Sequence, residues 1–421
     1  MTSYKKYPKY KDSNIAWLGE IPEHWEVKRL KNIIRAKITD GPHETPTFID
    51  EGIPFLSVDS IQNGELTFKK TRFISYENYI QYNKKANVQK DDILLGKAAS
   101  IGKVARVKVD FKFSIWSPLA LIKPKLSAVI PSYFEYLLKS PLTQYQIQQL
   151  STSNTQQNIS MDDIPKFIFS IPNIQEQQAI ANYLDKATAK IDTLIQKQEK
   201  LIELLKEKRQ ALISHAVTKG LNPDAKMKDS GIEWLGEIPE HWILCKLKYY
   251  GIYKSGDFIS ADKISKKGIY PVLGGNGLRG YSDTFNLKGH YVIIGRQGAL
   301  CGNINYSQGK FWATEHAIVV HNKKNINVKW LGALLDTMNL NQYSVSAAQP
   351  GLAVENITNL KAILPPLSEQ KEIAQYLDDK TSKIDNLITK ATKAIDLLKE
   401  KRTALISATV TGKIDVREQI L

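Results

Sequence analysis

A chain of 421 residues exceeds one ordinary core and predicts two or three domains. Its 58 Lys and Arg against 43 Asp and Glu give a formal charge of +15, spread along the chain, which favours a polyanionic partner, nucleic acid ahead of membrane. No run approaches the ~18 apolar residues of a membrane span, and residues 1–10 lack the apolar core of a secretory signal. Two cysteines, Cys245 and Cys301, are too few for a disulfide framework or a Cys-based zinc site and fit a reducing cytoplasm.

In chain order, the first landmark is KDSNIAWLGEIPEHW at residues 11–25. A stretch of short apolar runs follows over residues 26–171. It includes DDILLGKAASIGKVARV at 91–107, which reads as strand, Gly plus cation, small-residue turn, Gly and strand, and the polar STSNTQQNIS at 151–160. Residues 172–220 read as one long helix: Ile180, Leu184, Ala187, Ile191, Leu194, Gln198, Leu201, Leu205, Lys208 and Leu212 alternate four and three apart, an a/d seam. Asn173 with Glu176 suits a capping box, and Gly220 followed by Pro223 is a stop signal.

The landmarks then recur. KDSGIEWLGEIPEHW at 228–242 differs from the first phrase at two positions, and EQKEIAQYLDDKTSKIDNLITKATKAIDLLKEKRTALISATVT at 369–411 aligns without a gap to residues 176–218. Leu377, Ile384, Leu387, Ala391, Ala394, Leu398 and Leu405 keep the seam, and Ser368 is the expected N-cap. The offsets of the two matches, 217 and 193, differ by 24, so matched ends enclose middles of unequal length. This is a tandem duplication with a fixed scaffold and two interchangeable inserts, 26–171 and 243–365, joined by a scaffold segment at 1–25, a linker at 221–242 and a second long helix over 366–421.

The expected fold class is α+β: two strand-rich domains separated by two long helices that form an antiparallel coiled coil with internal two-fold pseudosymmetry. Each rod of ~43 residues is roughly 65 Å long and needs a partner for its stripe. The other copy in the same chain is the favoured partner, and a twin in a second chain is the alternative. Because the phrase opens the chain and the second rod closes it, the two ends are expected to meet.

Lys97 and, at the same place in the second copy, Arg296 in HYVIIGRQGALCGNINY (290–306) stand where a strand enters a turn, a position for a phosphate or guanine contact or for a solvated cation. Lys103 closes the first of these turns. Gln157 and Asn158 lie in the amide-rich segment, either a recognition loop or an ordinary polar one. GNGLRG at 275–280 has the G-x-G-x-x-G spacing, but the polar YSDTFNLKG after it is no helix, so a glycine-rich β loop presenting Asn276 and Arg279 is expected instead of a dinucleotide site. His24 and His241 beside Glu23 and Glu240 have no second ligand at metal spacing and are expected to be structural. The phrase's Trp pairs are expected to clamp the entering strand.

No catalytic signature is present: no phosphate-binding loop motif, no nuclease-like carboxylate cluster, and LPPL at 364–367 lacks the Asp or Asn and the aromatic that hold a flipped adenine. The phrase, a strand-rich insert, P-x-x-x-EQ-x-x-I-x-x-x-L-D and a helix ending EKR-x-ALIS-x-x-VT, all present twice, resemble the specificity subunit of bacterial type I restriction-modification enzymes over essentially the whole chain. The resemblance implies that each insert is a target recognition domain reading one half of a split double-stranded DNA sequence. The rods would set the spacing, and the scaffold would dock two methyltransferase and two restriction subunits. S-adenosylmethionine, ATP and Mg²⁺ would belong to those partners, and the chain itself would be non-catalytic, cytoplasmic and nucleoid-associated. Candidate DNA contacts are then Lys97, Lys103, Gln157, Asn158, Asn276, Arg279 and Arg296. A coiled-coil nucleic-acid scaffold without enzymatic partners is the competing reading, and a self-contained DNA-modifying enzyme the third.

Overall fold

The structure, a computed structural model, describes residues 4–151, 158–298, 300–344 and 351–418. Two compact units emerge, Met1–Lys197 with Ala394–Leu421, and Gln198–Lys393. Both divisions fall inside the long helices Ile174–Lys219 and Leu367–Val410, so each unit holds half of each rod.

In the first unit the insert is pinched shut by its own ends, where Glu26–Arg29 pairs antiparallel with Ile168–Ile171. Between them lie a four-stranded sheet in the order Val104–Arg106, Ile93–Gly96, Leu119–Ile122, Thr39–Asp40, and a three-stranded sheet in which Ser114–Ile115 runs parallel to Ile53–Leu56. The strands Ile93–Gly96 and Leu119–Ile122 are buried on both faces, which explains their unbroken apolar composition.

The second unit repeats the plan. Ile243–Lys246 pairs with Lys361–Leu364. One four-stranded sheet runs Gly251–Ser255, Ala317–Asn322, Val292–Gly295, Ile304–Tyr306, and the other again contains a parallel pair, Tyr270–Gly274 with Lys310–Ala313. The inserts are therefore copies of one architecture. The expectation of strands missed the inserts' helices, Tyr76–Asn83, Pro131–Lys139 and Pro141–Leu150 in the first and Val328–Thr337 and Val354–Asn359 in the second.

The rods pair within each unit and run antiparallel. Asp192 of the first holds Arg402 of the second in the first unit, at 3.0 Å, and Arg209 holds Asp385 in the second unit, at 2.9 Å. These are one ion pair written twice, since each residue is the repeat of its counterpart's partner. The expected seam is buried at Ile180, Leu184, Ala187, Ile191 and Leu205 and at Leu377, Ile384, Ala391 and Leu405, and it slips by one position between them. Leu194, Leu201 and Leu387 are exposed, while Ile195 packs onto the core and Ile202 is half-buried. Adjacent apolar pairs, Leu194-Ile195 and Leu201-Ile202, leave the periodicity ambiguous, and the partner's surface decides.

The helix ends also depart from expectation. Asn173 Oδ1 accepts from Glu176 N at 2.9 Å, but the Glu176 carboxylate turns elsewhere, so only half of a capping box forms. The second rod begins at Leu367, which places Ser368 inside the first turn. It ends at Val410, not at the chain end, because Gly412, at φ +72°, turns the backbone onto Pro22 and Trp25. Gly220 ends the first rod against Trp242 in the same way. The chain ends do meet: Asp415 N donates to Lys5 O at 2.8 Å and Lys5 pairs with Glu418 at 2.6 Å.

Candidate nucleic-acid interface

The repeated phrase and the repeated Glu-Gln form one joint in each unit. Trp25 is buried, and its Nε1 donates to Glu176 Oε1 at 3.0 Å while His24 Nε2 lies 2.7 Å from Oε2. Trp242 and His241 contact Glu369 in the second unit at 2.9 and 2.7 Å. The neighbouring glutamines complete the joint: Gln177 Oε1 accepts from Ile130 N and Gln370 Oε1 from Asn327 N, fixing the start of the insert helix to the rod. Tyr7 adds a bond to Glu176 in the first unit only, at 2.7 Å, and burial together with that carboxylate pushes its hydroxyl well up. Trp17 and Trp234 lie at the surface, so one Trp of each phrase clamps and the other does not.

On this joint each insert carries the same hairpin, and its turn is where the copies differ. In the first unit Lys97 follows Gly96 and is held by its backbone, which donates to Pro118 O and accepts from Ile159 N, both at 2.9 Å. Its side chain is 10% exposed and its ammonium lies 3.2 Å from Asp40 Oδ2. Asp40 also receives Lys85 at 2.5 Å and His43 at 3.1 Å. Burial alone would raise the Asp40 carboxyl, but Lys85 and Lys97 outweigh it and hold the group below the usual carboxylate range. Asn158 is exposed beside this turn, bridged to Ala98. Lys103 is half-exposed and lines a different space, a 280 Å³ cavity shared with Lys139 and Arg402. Gln157 lies outside the described residues.

In the second unit the pairing register sets Ser255 where the first unit has Asp40. Arg296 is therefore half-exposed with no ion pair among the described residues, although its backbone is fixed by His316 O and Leu352 N, both at 2.9 Å. The GNGLRG segment opens with a tight turn at Gly275 and Asn276, Gly274 pairing with Gly277, and continues as the strand Gly277–Ser282; Asn276 on the turn and Arg279 on the strand are exposed. Together with Gly275, Gln297, Leu300 and His316 they line an open 340 Å³ cavity. A Cβ at Gly275 would lie 3.0 Å from His316 O, a tight contact that favours glycine there. The structure thus gathers Asn276 and Arg279 beside the Arg296 turn and adds Gln297 and His316, which sequence reasoning missed. These two flank separate strands, Gln297 after Val292–Gly295 and His316 before Ala317–Asn322, and the pairing of Gly295 with Ala317 brings them together.

A surface of Arg, Asn, Gln and His with no carboxylate among the cavity's lining residues suits phosphate oxygens and base edges. No helix among the described residues is long and apolar enough to cross a membrane.

Comparison with known proteins shows the family. The model of the type I restriction modification DNA specificity domain matches twice, at residues 22–204 and 239–396. The EcoprrI specificity subunit of Escherichia coli is 44% identical over 144 residues, 33% of this chain and 36% of that one. The putative MjaX specificity subunit of Methanocaldococcus jannaschii is 24% identical over a 440-residue alignment spanning 97% of this chain and 98% of that one. A solved chain described under "Structural basis underlying complex assembly and conformational transition of the type I R-M system" has the same fold, with a TM-score of 0.69 at 14% identity over 93% of this chain and 98% of that one. The HsdS subunit of Thermoanaerobacter tengcongensis gives 0.54 at 14% identity, over 94% and 98%. With its doubled scaffold, its two inserts of one architecture and a specificity-domain match in each half, the chain belongs to the type I restriction-modification DNA specificity family.

Proposed function

We propose that this chain is the non-catalytic reader of a type I restriction-modification complex, and that each insert recognises one half of a two-part double-stranded DNA target. The scaffold docks two methyltransferase subunits and two restriction subunits in the bacterial cytoplasm, and S-adenosylmethionine, ATP and Mg²⁺ are bound by those partners. The observation that carries this reading is the same joint built twice around hairpins whose turn residues differ. A reader of two unlike half-sites needs that arrangement: constant anchoring, variable tips. In the second unit Arg296, Arg279 and Asn276 form the DNA face. In the first, Asn158 lies at the face, Gln157 is assigned to it from sequence, Lys103 contributes charge, and Lys97 acts through its pair with Asp40. Affinity comes mostly from cations on phosphates and falls steeply with salt.

The test is long-read sequencing of methylated adenines in the host genome with and without this gene. Loss of one two-part motif on deletion is the expected result. A methylome that keeps every motif, in a host shown to express the gene and its partners, would overturn the reading and leave a nucleic-acid-binding scaffold.

A further inference from the structure

We infer that Gln297 is a base-reading residue of the second unit with adenine as its target, and that His316 and Glu315 position its amide; this rests on the proposed DNA-reading function. Gln297 is exposed on the hairpin turn directly after Arg296. Its Oε1 lies 2.7 Å from His316 Nδ1; when that nitrogen carries hydrogen, the ring N–H donates to the amide oxygen. His316 Nε2 lies 3.1 Å from Glu315 Oε1, and the other oxygen of that carboxylate is buried with no hydrogen-bond partner among the described residues. A ring with hydrogen on both nitrogens faces the carboxylate through Nε2 and donates through Nδ1, and in that form the chain Glu315, His316, Gln297 holds the surface amide with its oxygen inward.

Fixing an amide matters because of what it then presents. With one lone pair of Oε1 on His316, Gln297 keeps both N–H donors and a second lone pair pointing outward, the pattern that meets N7 and the N6 amino group of adenine in the major groove. Guanine offers two acceptors there, and the amide oxygen would face one of them. The flanking groups fit as well: Arg279 shares the cavity and Arg296 precedes the turn, both placed for phosphates. Asn276, the other amide of the cavity, accepts one hydrogen bond from Asn303 Nδ2 at 3.1 Å. At the equivalent place the first unit has Ala98, which has no hydrogen-bonding side chain, so the two halves of the target are read by different means.

The experiment uses the chain co-expressed with its methyltransferase partners. The methylated motif of the wild type is compared with that of Gln297→Ala, and then affinity is measured for target duplexes in which each adenine of the second half-site is replaced in turn by 7-deazaadenine. Gln297→Ala is expected to leave the first half-site unchanged and to relax one A·T position of the second by roughly ten-fold. The wild type should lose about five-fold at one 7-deazaadenine position to which Gln297→Ala is indifferent. His316→Ala should relax the same position, and His316→Asn, which restores a donor, should recover part of it. A second half-site without adenine, or equal sensitivity of wild type and Gln297→Ala to every 7-deazaadenine, would overturn the inference while leaving the reader function intact. Absence of any two-part motif in the wild type would instead overturn the function on which it rests.

Discussion

Two carboxylate positions show how differently the two halves of this molecule treat their shared and their private parts. Glu176 and Glu369 occupy the same repeat position and make the same two contacts, to a His and a Trp of the repeated phrase. Asp40, by contrast, has no acidic counterpart: the second unit puts Ser255 in its place, and the cation that Asp40 holds in one turn stands unpaired in the other, among the described residues. What repeats is the joint between insert and rod; what diverges is the charge at the hairpin tip. The lesson is that contact sets, compared between copies, separate scaffold from recognition surface without any second sequence.

The comparison can be broken or sharpened by substitution. The largest effect is expected at the joint. Glu176 is 3% exposed in its side chain and receives three groups, whereas Glu369 is 32% exposed and receives two. Glu176→Ala strands Tyr7, His24 and Trp25 and should cost about 4 kcal/mol in denaturant unfolding, with Glu369→Ala costing about half of that. Equal losses would show that burial does not set the strength of the joint.

Next comes Asp40→Asn, which leaves Lys97 nearly buried without its counter-charge and should destabilise by about 3 kcal/mol. The pH dependence follows from the lowered folded-state value of Asp40. A carboxylate depressed on folding contributes stability that is present above its unfolded value of about 3.9 and is lost as pH falls through the folded value. The wild type should therefore lose stability below about pH 4 more steeply than Asp40→Asn, as read by acid titration of intrinsic fluorescence. Parallel acid limbs would remove the pair from the account.

Smaller, and on binding more than folding, is the contrast between the two turn cations. Arg296→Ala should weaken target binding roughly ten-fold with little change in stability, and Lys97→Ala should lower stability first and binding less. Smallest is Asp192→Ala, which removes a rod ion pair whose partners are well exposed; about 0.5 kcal/mol or less is expected.

Much of this was legible in the sequence, and the reasons for the rest are physical. The doubled phrase, the long helices, the hairpins at 91–107 and 290–306 and the β-turn at Gly275 follow from repetition, periodicity and glycine placement, all local signals. The seam was legible except near the middle of the rods, where neighbouring Leu and Ile at 194 and 195 satisfy either phase. Nor was the state of Lys97, whose partner lies 57 residues upstream on another strand. Gln297 looked like one polar residue in a turn; its significance depends on His316, which the chain reaches only after two further strands. Side-chain neighbourhoods made by sheet pairing leave no mark in a linear pattern.

The most direct measurement exchanges the insert. Residues 243–364 are replaced by the corresponding insert of another family member, whose joint contacts are kept, and the methylated motif of the resulting complex is determined. The account predicts a new second half-site joined to the original first half-site. A motif unchanged in both halves, or changed in both, would contradict the claim that a constant scaffold carries two independent readers.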